Sequence, residues 1–197
     1  SGRYRNRVSI AFAFIATHNH FVLDRGGKVF KQSAPVIKLP EGATEDQHLE
    51  LLAILNSSLA CFWMKETAQP KGGAADSGWQ RTYEFTGTKL QEFPLPVSLP
   101  LVFGRQLDAL SQELQQLSPA TVCAEAAPTR ARLDAAREGY DSVRARMIAL
   151  QEELDWSTYY LYELADRDLT YAEANLPELE LGQRAFEIAL ARRVADG

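Results

Sequence analysis

Thr44-Glu45-Asp46-Gln47-His48-Leu49-Glu50-Leu51-Leu52-Ala53-Ile54-Leu55-Asn56-Ser57-Ser58-Leu59-Ala60-Cys61-Phe62-Trp63-Met64-Lys65 separates two kinds of sequence within the 197 residues. Thr44 followed three residues later by Gln47 is the pattern of a capping box, in which each side chain takes up the other's backbone N–H. Leu49, Leu52, Ala53, Leu55, Leu59, Phe62 and Trp63 then recur at helical spacing. The spacing predicts one helix over about residues 45–65.

Upstream of this helix the chain reads as β structure. Residues 8–16 are rich in Val, Ile and Phe and alternate in part. Phe21-Val22-Leu23 and Lys28-Val29-Phe30 flank Asp24-Arg25-Gly26-Gly27, a hairpin signal because glycine reaches the positive φ of tight turns. Residues 35–40 form a short apolar run between prolines, which places it at a sheet edge. Downstream, residues 68–80 are glycine-rich and read as a loop, residues 81–85 as a strand, and Thr86 as the cap of a short turn through Leu90. Phe93-Pro94-Leu95-Pro96 closes that part.

Beyond it the pattern is helical. Phe103, Leu107, Leu110, Leu114 and Leu117 form one apolar seam, and Leu133, Ala136, Tyr140, Val143, Met147, Leu150 and Leu154 another. Residues 118–128 read as the loop between them, and a helical hairpin is the economical packing. A last helix is expected over residues 181–194. The expected fold class is α+β: a small mixed β-sheet with a long helix over residues 1–100, then a helical hairpin or bundle over 101–197.

The net charge of -5 argues against a polyanion partner, but its distribution does not. Residues 1–40 carry seven basic side chains against Asp24 alone, whereas residues 101–197 carry ten basic and 17 acidic ones. Such asymmetry suggests a polyanion-facing end joined to an acidic body. A solvated entry strand is the plainer account of Arg3, Arg5 and Arg7. No apolar run approaches the length of a membrane span. The abrupt Ser1-Gly2-Arg3 start reads as a cut from a longer protein. Cys61 and Cys123 have no Cys-x-x-Cys spacing, and His18, His20 and His48 have no zinc-site partners, so a reduced, cytoplasmic chain without structural metal is expected.

Catalytic motifs are missing from the sequence. It has no phosphate-binding glycine loop, no His-Glu-x-x-His and no Gly-x-Ser-x-Gly. The Asn/Asp-Pro-Pro-aromatic run with which amino-methyltransferases hold a flipped base is missing too. Thr17-His18-Asn19-His20 offers side chains that can read base edges, or else a strand-end turn with Asn19 at positive φ. Lys71, Trp79, Arg81 and Tyr83 flank or occupy the glycine-rich loop, where aromatics beside cations can stack on bases, or where a surface loop is anchored by one Trp. Glu152, Glu153 and Asp155 read as a solvated helix face, and Tyr159, Tyr160 and Tyr162 as packing residues with wet hydroxyls.

The Leu51-Leu52-Ala53-Ile54-Leu55-Asn56-Ser57-Ser58-Leu59 helix, the glycine-rich stretch and the Phe93-Pro94-Leu95-Pro96 run follow one another in the order of target recognition domains in type IIG and TaqI-like methyltransferases. The likeness is closer to the BREX/phage-growth-limitation (PglX) type of adenine-specific DNA methyltransferase. Residues 83–90, Glu153-Leu154-Asp155-Trp156 leading to Tyr160-Leu161-Tyr162, and residues 181–188 each resemble stretches of that family. The resemblance implies the C-terminal target-recognition portion of such an enzyme, serving phage defence or restriction-modification without the catalytic core. S-adenosylmethionine is then implied for the parent enzyme and no cofactor for this chain.

Under that reading Arg3, Arg5, Arg7, Arg25, Lys28, Lys31 and Lys71 meet phosphates, and His18, Asn19, His20, Trp79, Arg81 and Tyr83 meet bases or their neighbours. Partners are double-stranded DNA, the methyltransferase domain of the same chain and other defence-system subunits. The competing reading is a helical protein-interaction scaffold within the defence complex.

Overall fold

The computed structural model describes residues 8–71, 81–125, 127–171 and 176–179. The β region divides between two sheets. Strands β1 (Ser9–Phe12), β3 (Phe21–Asp24) and β4 (Val36–Ile37) form one, in the order β3-β1-β4. Strands β2 (Ile15–Ala16), β5 (Gln69–Lys71) and β6 (Thr82–Glu84) form the other, in the order β2-β6-β5. All pairings are antiparallel, with Ala11 opposite Val22 and Val36 in the first sheet and Tyr83 opposite Ala16 and Pro70 in the second. The run expected as one strand over residues 8–16 thus changes sheet after Phe12.

The hairpin forms between β1 and β3, not across the Gly-Gly turn. Gly26 and Gly27 do take positive φ, of 102° and 86°. They lead into irregular chain, and residues 28–30 are not a strand. The backbone N–H groups of Phe12 and Phe14 are instead taken by Pro35 and Ser33 carbonyls, which leaves residues 28–30 no place on the β1 edge. β4 lies at the sheet edge, as its flanking prolines require.

The expected single helix is two: α1 (Glu45–Leu55) and α2 (Ser58–Thr67). The Thr44 capping box is present, with Thr44 N–H to Gln47 Oε1 at 2.9 Å and Gln47 N–H to Thr44 Oγ1 at 3.3 Å. The break comes at Asn56-Ser57. Ser57 is extended (φ -69°, ψ 157°), and its hydroxyl accepts from Ala60 N–H as the cap of α2. Apolar periodicity runs unbroken across these positions and hides the break. The residues that make it are poor helix formers whose side chains bond backbone locally.

A short helix, α3 (Gly87–Leu90), is capped by Thr86 as expected. Helix α4 (Leu101–Gln116) and helix α6 (Arg130–Leu161) pack antiparallel: Arg146 pairs with Glu113 at 2.8 Å, while Gly139 lies against Leu117. The connection expected as loop contains helix α5 (Pro119–Glu125), which carries Cys123, exposed. Ser118 starts it, its hydroxyl accepting from Thr121 N–H at 3.4 Å. The helix expected over residues 181–194 lies outside the described residues.

One core joins both sheets to α1 and α2, with Ile10, Phe12, Phe21, Ile54, Met64 and Phe85 at its centre. The helical hairpin docks on it through close backbone approach. A Cβ on Gly104 of α4 would stand 2.6 Å from the Leu49 carbonyl of α1. Arg105 forks onto Asp46, with Nε to Oδ1 at 2.9 Å, and this contact holds the Asp46 carboxyl below its ordinary pKa. Tyr162, at the end of α6, donates to the Pro94 carbonyl at 2.6 Å, so its hydroxyl is bonded to backbone. Burial pushes that phenol up to about 12.

Candidate functional site

The break between α1 and α2 exposes backbone groups that a continuous helix would have used. Side chains from two directions satisfy them, the segment before β3 and helix α6. Asn19 Nδ2 donates to the carbonyls of Leu55 (2.7 Å) and Ser57 (3.2 Å). Gln151 of α6 donates to the Asn56 carbonyl at 3.2 Å. Asp155 of α6, only 3% exposed, accepts from Ser58 N–H at 2.7 Å and from Ser58 Oγ at 2.6 Å. Asp155 is therefore not part of a solvated face. Its carboxylate sits at the N-terminus of α2, where the free N–H groups and the helix dipole favour negative charge. Glu153, on the same helix, is half-buried and accepts from Tyr171 N–H. Burial first, then the neighbouring Glu152 and Asp168, raises its carboxyl above the ordinary range.

Above this junction lies a cleft of about 1060 Å³. One wall is residues 17–20 with β3, and the floor includes Leu52 and Ala53 of α1. Cys61 and Lys65 of α2 stand at one end; Leu107, Asp108, Ser111, Gln112 and Gln115 of α4 and Met147 and Gln151 of α6 form the far wall. Clefts at the seam between packed units are the ordinary location of binding sites.

Four of the sequence-predicted residues meet here: His18, Asn19, His20 and Arg25. They play different parts. Asn19 is spent on the α1–α2 junction, and the alternative of a positive-φ turn does not hold: among the described non-glycine residues only Glu163 has positive φ. Arg25 is bound twice, to Asp108 at 2.6 Å and to Glu45 at 2.8 Å, which holds its guanidinium more firmly protonated than usual. His18 and His20 are exposed, with their rings edge to face at 6.2 Å. His18 also contacts Thr17 Oγ1 through Nδ1 at 2.8 Å. Partial burial, then the positive charges of His20 and Lys65, lowers the pKa of His18.

The other predicted residues lie elsewhere. Lys28 and Lys31 are exposed in the segment after β3, at the opposite end of that strand from His20. Lys71 and Arg81 flank residues 72–80, which connect β5 to β6. Lys71 is paired with Glu84 at 2.6 Å, and Arg81 is exposed. Tyr83 is half-buried, packs on the core and stacks on Phe85 at 6.2 Å. Arg3, Arg5, Arg7 and Trp79 lie outside the described residues.

Sequence reading missed Cys61, Lys65, Ser111, Gln115 and Gln151. The available signal was local: Cys61 and Lys65 share a helix face four residues apart, and Asp108, Ser111, Gln112 and Gln115 form a polar stripe beside the α4 seam. Nothing local said that the two stripes face each other. Among the described residues no group of three or more His, Cys, Asp or Glu side chains could hold a metal ion, and no helix is long and apolar enough to cross a membrane.

Comparison with known proteins adds the remaining findings. No solved structure matches this chain. A family model described as a domain of unknown function, DUF7008, matches residues 147–197, from the second half of α6 onward. The chain is similar to the adenine-specific methyltransferase PglX of Streptomyces coelicolor and spans 17% of that protein's length. The likeness read from residues 83–90, 153–162 and 181–188 thus extends, at 56% identity, over 96% of this chain.

Proposed function

We propose that this chain is a DNA-recognition portion of an adenine-N6 DNA methyltransferase in phage defence, with methyl transfer carried out by other parts of a longer protein. The observation that carries the reading is the 56% identity to a protein named as an adenine-specific methyltransferase over nearly all of this chain. Cations without a carboxylate partner support it: among the described residues Lys28, Lys31, Lys65 and Arg81 of the first 100 residues have no ion pair. Arg25 and Lys71 have carboxylate partners, so they set local geometry more than they attract phosphate.

The cleft does not fit S-adenosylmethionine. The sulfonium and ammonium of that donor would stand against Lys65, His18 and His20, and the sequence offers no glycine-rich strand-to-helix turn for it. No methyl-transfer step is assigned to these residues. The helical part would brace the reader at a fixed distance from the catalytic domain, where the target adenine swings out of the duplex.

A fluorescence-anisotropy titration of this chain with duplex DNA tests the proposal. Affinity should fall as salt rises, and Lys28→Glu with Lys31→Glu should reduce the log–log salt slope by about 2, one per lost phosphate contact. The scaffold reading draws on Leu95, Val97 and Val102, which stand exposed around the start of α4. Failure to bind duplex at low salt, together with a stable dimer in solution, would favour it.

A further inference from the structure

The cleft has a chemical polarity that DNA backbone contacts on the N-terminal cations do not use. At one end Lys65, His18 and His20 converge, with no ion pair to Lys65 or to either histidine among the described residues. At the other end Arg25, Asp108 and Glu45 neutralise one another. Between them lies apolar lining, from Leu52 of the floor and Leu107 and Met147 of the far wall. The far wall presents Ser111 and Gln115, exposed, whose side chains have no hydrogen-bond partner among the described residues. An occupant matched to this arrangement has an anion at one end, a flat apolar body, and a hydrogen-bonding edge on the side away from the anion.

We propose that the cleft binds one unstacked nucleotide, with its phosphate at Lys65, His18 and His20, its base on Leu52, Leu107 and Met147, and its base edge toward Ser111 and Gln115. The volume of about 1060 Å³ stands just above the roughly 300–1000 Å³ typical of small-ligand sites. It accommodates a nucleotide with its water and is far too small for a double helix. Lys65 meets the phosphate by charge-assisted contact and the imidazole N–H groups by hydrogen bonds, and the serine and carboxamide can donate to and accept from a base edge. The proposal rests on the DNA-recognition reading only for the source of the nucleotide, a DNA strand as opposed to a free mononucleotide. It places the base between the two halves of the molecule, so an occupied cleft would tie α4 and α6 to β3.

Cys61 lines the cleft and supplies a native reporter, once Cys123 on α5 is replaced by Ser. The rate of Cys61 alkylation by iodoacetamide is followed by mass spectrometry with 2′-deoxyadenosine 5′-monophosphate, deoxyadenosine, inorganic phosphate, a single-stranded oligonucleotide and a duplex. At a mononucleotide concentration about ten times its Kd the rate should fall roughly tenfold, with a parallel rise in melting temperature. Deoxyadenosine should protect much less. Lys65→Glu, with an unchanged melting curve, should weaken protection by the nucleotide about tenfold. The oligonucleotide arm identifies the source: a strand that protects at far lower concentration than the mononucleotide points to DNA.

Neither protection nor a melting shift at about 10 mM nucleotide, ten times a millimolar Kd, overturns the proposal. Equal protection by deoxyadenosine, or insensitivity to Lys65→Glu, overturns the placement of the phosphate. A duplex that binds the chain without shielding Cys61, while the mononucleotide does nothing, removes the cleft and leaves DNA recognition standing. Protection by the mononucleotide with no binding of any DNA keeps the cleft and removes DNA recognition.

Discussion

Replacing Asp155 by Ala should cost this protein more than any single surface change. The carboxylate is 3% exposed and receives Ser58 N–H and Ser58 Oγ at 2.7 and 2.6 Å. Hydrogen bonds to a charged acceptor contribute about 1.5–3 kcal/mol each, and the half-buried Ser58 regains some of that from water, which points to the lower figure. Loss of a negative charge at a helix N-terminus adds about 0.3–1 kcal/mol. Together these give about 3–4 kcal/mol, or a fall in melting temperature of about 6–16 °C for a domain of this size. Urea unfolding of the parent, Asp155→Ala, Asp155→Asn and Ser58→Ala measures it. Asp155→Asn keeps an acceptor for Ser58 N–H and should lose about half as much. The double mutant with Ser58→Ala should show a coupling of about 1.5–3 kcal/mol, the worth of the hydroxyl–carboxylate bond that either single substitution removes. An Asp155→Ala variant within about 1 kcal/mol of the parent, with no coupling to Ser58, would refute the account of this junction.

Gly104→Ala places a methyl group 2.6 Å from the Leu49 carbonyl and should destabilise by about 1–3 kcal/mol, read by thermal melts, because backbone yields less readily than a side-chain tip. Arg25→Gln should alter duplex affinity less than Lys28→Glu with Lys31→Glu does in the same titration, since the Arg25 charge already answers Asp108 and Glu45. Glu153→Gln carries a pH signature. The folded state holds the Glu153 proton more tightly than the unfolded chain does, so the folded state loses stability relative to unfolded as pH rises through that window. The variant should therefore be the more stable one at neutral pH, with the difference shrinking on acidification through the carboxylate range. A constant difference across that range in pH-dependent urea melts would contradict it.

The elements legible in the sequence were those with local causes. The Thr44 capping box, the Thr86 cap, the proline-bounded β4 and the two apolar seams of α4 and α6 are each specified within a few residues. The failures share a different cause. The division of residues 8–16 between two sheets depends on Phe85 N–H bonding the Phe14 carbonyl, a partner 71 positions away that no local pattern announces. The helix break at Asn56-Ser57 is held by Asn19, Gln151 and Asp155, each distant in sequence. For the same reason Asp155 looked like one acid among three. In the cleft, His18, His20 and Arg25 were found by residue type, whereas Lys65 and the polar stripe of α4 acquire meaning only when α2 and α4 come to face one space.

The carboxamide of Asn56 has one further consequence. Its Oδ1 accepts from Phe21 N–H and its Nδ2 donates to the Phe21 carbonyl, both at 3.0 Å. A side-chain amide thus occupies the place where a fourth strand's peptide group would bond, on the outer margin of β3. An open margin is a template on which another polypeptide can zip into register and seed aggregates. By halting α1 where Asn56 can reach Phe21, the sequence plugs that template at its first position and keeps neighbouring molecules from annealing there.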